Sequence, residues 1–262
     1  MKERTSYYSI VFFCLLALLI QTGLGFFSQN DTVKMIYGDL ILVVISLFIL
    51  ILSYRTYKKI SPKLADERKI ILLFTGTFFL RLIGEVLWAY NELAKKETLY
   101  ISAADIGWYL SYILLLIGLG YYIRNIFIAN KAKVVSATIG FATLLSALVL
   151  WIEVLIPGWT SREDLLSHLV VEAYVIFDIY IVALLALVMI PMMRSYTAQF
   201  KSSLFIAYGF ISFSIFDLVY ARQTIAGTYV SGNIIDIAYL LGYVLILIGS
   251  YLSYASNSEV HT

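Results

Sequence analysis

The sequence predicts an all-α, polytopic membrane protein with eight transmembrane helices arranged as a parallel 4+4 internal repeat. Three observations carry this prediction. Apolar residues fall in runs of about 20, the length a helix needs to cross a bilayer's hydrocarbon core. Lys and Arg concentrate in alternate connections. A stretch marked by Asp, Tyr and Gly occurs twice, at an offset of 131 residues. With 61% hydrophobic residues in 262 and a mean hydropathy of +0.87, the chain carries more apolar surface than a soluble domain of that length needs.

The hydrophobic segments are read at roughly 8–27, 36–54, 70–90, 101–122, 134–156, 169–193, 202–222 and 233–253. Lys2 and Arg4 before the first resemble a signal-peptide start. No small-residue cleavage pattern follows, and the repeat requires this helix to be retained. Connections are short, the longest being 54–69, and none has room for a soluble domain. Pro191 should kink or end the sixth helix. The single cysteine, Cys14, excludes an intrachain disulfide and a thiolate metal cluster. A net charge of +2 gives no basis for a nucleic-acid partner.

Charge placement sets the orientation. With the N-terminus inside, thirteen of the nineteen Lys and Arg fall in inner segments, among them Arg55, Lys58, Lys59, Lys63, Arg68 and Lys69. Five fall outside, and Arg81 lies within a helix. Positive residues favour the cytoplasmic side, so both termini are expected there, with the protein in the cell membrane.

The repeat pairs Asp105-Ile-Gly-Trp-Tyr-Leu-Ser-Tyr112 and its continuation to Gly118 with Asp236-Ile-Ala-Tyr-Leu-Leu-Gly-Tyr243 and its continuation to Gly249. Glu85-Val-Leu-Trp-Ala89 pairs with Asp217-Leu-Val-Tyr-Ala221 at offset 132, and Asp39 with Asp178 at offset 139. The first and fifth helices align poorly. Residues 1–130 and 131–262 therefore read as two four-helix halves of one membrane domain. Because four is even, both halves enter from the same side.

Eight acids lie within these segments: Asp39, Glu85, Asp105, Glu153, Glu172, Asp178, Asp217 and Asp236. Given the orientation, all fall in the outer half of the membrane. An acid at mid-helix costs about 2.5–3.5 kcal/mol on an insertion scale, so the deepest should face the bundle interior or a cavity. Those are Glu85, Asp178, Asp105 and Asp217; Asp39, Glu153, Glu172 and Asp236 read as interfacial. Asp105, Trp108 and Tyr112 share a helix face, as do Asp236, Tyr239 and Tyr243. Glu85 has Trp88 at i+3. Arg81, one turn before Glu85, is in reach of an ion pair with it, and its repeat counterpart is Phe213. The candidate ligand-binding set is Arg81, Glu85, Trp88, Asp105, Tyr112, Asp178, Asp217, Asp236, Tyr239 and Tyr243. The alternative is that these groups pair with one another between helices.

Recognised catalytic signatures are absent, and one usable histidine, His168, is too few for an intramembrane zinc hydrolase. No catalytic residue, metal or cofactor is therefore assigned. Gly23, Gly25, Gly118 and Gly120 read as close-packing points.

Part of the chain resembles a known family. The stretches Glu85-Val-Leu-Trp-Ala-Tyr-Asn-Glu-Leu, Ala104-Asp-Ile-Gly-Trp-Tyr-Leu-Ser-Tyr112, Ala173-Tyr-Val-Ile-Phe-Asp178, Asp217-Leu-Val-Tyr220 and Gly227-Thr-Tyr229, leading into Asp236 to Tyr243, carry it. They resemble the multi-helix membrane sensor region found N-terminal to diguanylate cyclase, cyclic-di-GMP phosphodiesterase and histidine kinase modules of bacteria and archaea. The resemblance covers about half the chain. It implies outward-facing sensing coupled to a cytoplasmic output, but no output domain lies within the 262 residues. The expectation is a stand-alone membrane sensor or receptor. It would lie among membrane lipids, bind a small ligand from the outer side and signal to a separate cytoplasmic protein. The alternatives are a small-solute transporter, an intramembrane enzyme using paired carboxylates, and a purely structural protein.

Overall fold

The structure, a computed structural model, describes residues 2–95, 102–125, 130–155, 165–192 and 198–259. These residues are helical apart from short connections, with no strand among them. The helices are α1 (Lys2–Phe27), α2 (Asp31–Lys59), α3 (Ala65–Tyr90), α4 (Ala103–Asn125), α5 (Lys131–Val149), α6 (Leu165–Met192), α7 (Ala198–Ile225) and α8 (Asp236–Glu259). All eight are long and apolar enough to cross a membrane. They overrun the apolar segments at their ends, because polar residues continue a helix once its backbone bonding is established. Two of them lengthen through π-helical turns: Asn91–Lys95 continues α3, and Leu150–Leu155 continues α5.

Local chemistry explains several helix ends. Asn30 caps α2 by accepting from the Val33 N–H at 3.2 Å, with Asp31 in the first turn and Lys58 and Lys59 in the last complementing the helix dipole. Ser102 and Asp105 form a capping box on α4. Ser102 Oγ accepts from the Ala104 N–H at 3.2 Å, and Asp105 Oδ2 accepts from the Ser102 N–H at 2.6 Å. Side-chain hydroxyls within helices, including Ser53, Thr56, Thr75 and Thr77, donate to the carbonyl one turn back.

Six helices close a ring. Successive neighbours are α2, α3, α4, α6, α7 and α8, and α8 packs back on α2. Outside the ring, α1 lies against α2 and α8, and α5 lies against α6. The ring interior holds Ile45, Ile49, Phe78, Ile181, Phe210, Phe213, Tyr243 and Ile246, all fully enclosed. Phe12, Leu19, Phe79, Ile106, Phe141 and Leu144 point outward and are exposed, as lipid-facing residues are.

Side-chain volume sets how closely the ring helices approach. A Cβ on Gly107 would lie 2.9 Å from both the Gly84 N and the Leu80 O, so α3 and α4 touch backbone to backbone. Gly209 and Gly242 do the same for α7 and α8, where a Cβ on either would come within 2.9 Å of the other's carbonyl. Small residues at such crossings are how membrane helices gain packing without help from water. The glycines singled out from sequence are different ones. Gly23 and Gly120 have nothing within 4 Å of an added Cβ, and Gly25 and Gly118 meet only ordinary contacts at 3.8 and 3.5 Å. They lie away from the tight crossings, which sequence position alone does not mark.

Gly107→Ala should therefore destabilise the protein by about 1–3 kcal/mol through overpacking, read as a lower melting temperature of the full chain in nanodiscs. Gly120→Ala should be neutral, or stabilising by up to about 1 kcal/mol, because it only improves helix propensity.

Candidate functional site

The acids gather toward the end of the bundle that carries the α1–α2 and α7–α8 connections. At their centre is Glu85, which is 3% exposed. Its Oε1 accepts from the Trp108 indole N–H at 3.1 Å, Tyr239 Oη at 2.8 Å and Tyr243 Oη at 2.6 Å. One oxygen thus ties α3 to α4 and to α8.

Arg81 lies one turn away, 2% exposed. Its guanidinium is held by ring faces, with Cζ 4.3 Å from the Phe213 centroid, 5.1 Å from Tyr112 and 5.9 Å from Tyr243. Nη1 reaches Tyr239 Oη at 3.5 Å. The ion pair expected between Arg81 and Glu85 gives way to this arrangement. Aromatic faces take the cation and phenol hydroxyls take the carboxylate, so Tyr239 touches both. Phe213, the repeat counterpart of Arg81, has become one of its supports.

A second polar link mirrors the first across the ring. Tyr112 Oη on α4 donates to Asp217 Oδ2 on α7 at 2.7 Å, as Tyr243 on α8 donates to Glu85 on α3. Asp178 lies beside Asp217, Tyr112 and Arg81, 2% exposed, with neither oxygen in hydrogen-bond geometry. Asp105 is absorbed by its helix start and by Tyr174 Oη, which donates to Oδ1. Asp236 is held similarly at the start of α8, by the Gly232 N–H at 2.6 Å and Tyr229 Oη at 3.1 Å. Gly232 adopts φ +81°, and a Cβ there would lie 2.5 Å from Lys34 Cβ, so only glycine fits. Burial, with Asp236 alongside, pushes the Tyr229 phenol well above its ordinary range and keeps it a donor.

These groups surround a cavity of about 60 Å³, room for roughly four water-sized groups. Arg81, Glu85, Trp88, Tyr112, Asp217, Asp236 and Tyr239 of the sequence-selected set line it. Asp105, Asp178 and Tyr243 do not; they stand behind the wall. Trp108, Tyr174, Phe216, Tyr220, Tyr229, Gln21 and Asp39 are among the other residues that line it. Asp39 and Glu172, expected at the interface, are enclosed at 4% and 1% exposure. Helix packing rather than bilayer depth buries them, since α2 and α6 are both ring members. The side chains of Glu153, His168 and Pro191 lie outside the described residues.

Neither the family models, nor the curated proteins, nor the solved structures compared with the chain give a match.

Two participants escaped the sequence reading. Glu92, 2% exposed on the π-helical turn after α3, lies beside Asp39. It stands at i+7 from Glu85 and i+4 from Trp88, the same face rule that singled out Tyr112, but it lies beyond the apolar segment at 70–90. Gln21 is 1% exposed and contributes from α1; a lone amide in an apolar run was its only signal.

A second cavity, of about 170 Å³, lies at the opposite end of the ring. Apolar residues such as Phe74, Leu119, Val188 and Ile206 line it, with Ser53, Thr56, Ser202, Ser203, Ser250 and Ser253 among them. The enclosed Phe78, Phe210 and Phe213 belong to the core between the two ends.

Tyr243→Phe removes one of three donors to Glu85 and should cost about 1 kcal/mol, within the range of interhelical hydrogen bonds in membranes. Arg81→Met should cost more, about 3 kcal/mol or above, because it removes the buried cation among several acids. Thermal unfolding of both variants in nanodiscs measures the two effects.

Proposed function

We propose that this protein is a membrane sensor or receptor that binds a small ligand in the acid-lined cavity and signals to a separate cytoplasmic protein. The observation that carries this reading is the cavity itself. It lies within a bundle of apolar helices and is lined by ionisable groups from α2, α3, α7 and α8. Such groups are costly in a membrane and mark functional sites. The motif resemblance to sensor regions of cyclase, phosphodiesterase and kinase proteins supports the same reading. Among the described residues, no group of three or more His, Cys, Asp and Glu is placed to hold a metal ion.

The reading includes a duplicated architecture, with residues 1–130 and 131–262 as parallel four-helix halves. Supporting it, α2 against α8 and α4 against α6 are the junctions a two-fold relation between halves would generate. The Tyr112–Asp217 and Tyr243–Glu85 bonds are related in the same way. A ligand between the halves could bias their relative position, and the loop 60–64 at the far end could report it. The reading also places both termini in the cytoplasm of a cell membrane, from the Lys and Arg distribution.

A membrane-impermeant maleimide on intact cells tests the orientation against the low background of buried Cys14. Thr228→Cys should label, and Lys63→Cys should label only after permeabilisation. For function, a small-molecule extract of the host added to the full chain in nanodiscs should raise the melting temperature by about 2 °C or more. It should also change the labelling rate of Lys63→Cys. Both effects should vanish in a folded Glu85→Gln/Asp217→Asn variant.

The second cavity favours one other reading, a small-solute transporter. Two recesses at opposite ends are the openings that a path through the ring would have to join. Uptake of labelled solutes into proteoliposomes decides it: gradient-driven flux supports transport, and ligand-induced labelling change without flux supports sensing.

A further inference from the structure

We propose that the cavity recognises a small primary ammonium group, seated at the corner where Gln21 and Asp39 line it and Glu92 lies beside Asp39, with the rest of the ligand against the Trp88–Trp108 pair. This rests on the ligand-binding reading above and names the class of ligand.

The corner holds more unmet acceptors than donors, with four unmet oxygens on Gln21, Asp39 and Glu92 beside the one unmet donor, Gln21 Nε2. Gln21 on α1 is 1% exposed, lines the cavity, and has neither Oε1 nor Nε2 in a hydrogen bond. Asp39 Oδ2 and both Glu92 oxygens are likewise enclosed without a donor. Ser231, Trp88 and Asp39 come close to Glu92 without reaching hydrogen-bond geometry. Buried polar groups are almost always satisfied, so this concentration of unmet acceptors calls for something absent from the chain. Two neighbouring carboxyl groups cannot both stay ionised without a positive partner, which a proton or a bound cation supplies.

A primary ammonium presents three N–H donors and no acceptor. That matches one amide oxygen and two carboxylates. Beyond the corner, the lining turns aromatic, with the Trp88 and Trp108 rings 5.6 Å apart and Tyr229 and Tyr220 at 4.7 Å. Such faces accommodate a cation and its first carbons. An anion is disfavoured. Asp39, Glu85, Asp217 and Asp236 all line the wall, and the faces of Arg81, the one lining cation among the described residues, are occupied by Phe213, Tyr112 and Tyr243. Among the described residues, no group of three or more His, Cys, Asp and Glu is placed to hold a metal ion.

The test titrates the full chain in nanodiscs with propylammonium, tetramethylammonium, sodium, 1-propanol and propionate, following tryptophan fluorescence and melting temperature. Propylammonium should give a saturable change, and tetramethylammonium, which has no N–H, should bind at least tenfold more weakly. Asp39→Asn and Glu92→Gln should each weaken propylammonium at least tenfold while keeping the unliganded melting curve. Should Asp39→Asn not fold, Gln21→Leu on the peripheral helix serves instead, with an expected loss of about fivefold. Equal binding of tetramethylammonium, an equal response to sodium, or undiminished binding in these variants overturns the proposal. If 1-propanol or propionate binds instead, and Glu85→Gln abolishes it, the ammonium assignment falls and the ligand-binding reading stands. If no compound of any charge changes either signal, the ammonium assignment falls, and the host-extract experiment decides the wider reading separately.

Discussion

The polar interior of this bundle depends on the carboxylate of Glu85. Its Oε1 gathers three donors from two other helices, and the remaining polar groups arrange themselves by what it takes. Because Tyr239 and Tyr243 are committed to it, their rings stand where Arg81 can lie against one and touch the hydroxyl of the other. Because Arg81 is held by rings, Tyr112 is free to donate to Asp217. In a bilayer there is no water to make good an unmet bond, so such chains of commitment help to set helix position beside the close packing of small residues.

Much of the architecture was legible in the chain because bilayer thickness imposes a length on every spanning helix. Runs of Leu, Ile, Val and Phe of that length mark all eight helices. The ring was not legible. Every face of a helix in lipid is apolar, so periodicity does not say which faces meet, and nothing in α1 or α5 announces that they lie outside the ring. The tight crossings were equally silent. Gly107 and Gly242 read like any other membrane glycine until their partners Gly84 and Gly209 are opposite them.

The site was legible where the i, i+3, i+7 rule applied within one segment. Trp88, Tyr112 and Tyr239 were found this way, and all three line the cavity. The rule failed where a boundary cut it short. Glu92 obeys it from Glu85, but the π-helical turn that carries it lies beyond the apolar run. Asp105 shows the opposite failure. Its placement among the candidates followed from burial in a hydrophobic stretch, yet its oxygens are used by the start of its own helix and by Tyr174. Intramembrane acids can serve as helix caps, and spacing does not separate that use from ligand recognition.

The backbone contacts at Gly84–Gly107 and Gly209–Gly242 have a mechanical consequence. Helices that touch main chain to main chain have no side-chain layer to slide on, so α3 with α4, and α7 with α8, behave as two stiff blades. The compliant seams are the places where one blade meets the rest of the ring through side chains. The tyrosine bonds to Glu85 and Asp217 cross from blade to blade, so they act as tethers on a single angular coordinate. Any change in the shape of the ring would therefore concentrate at the seams between the blades, where the contacts are made by side chains.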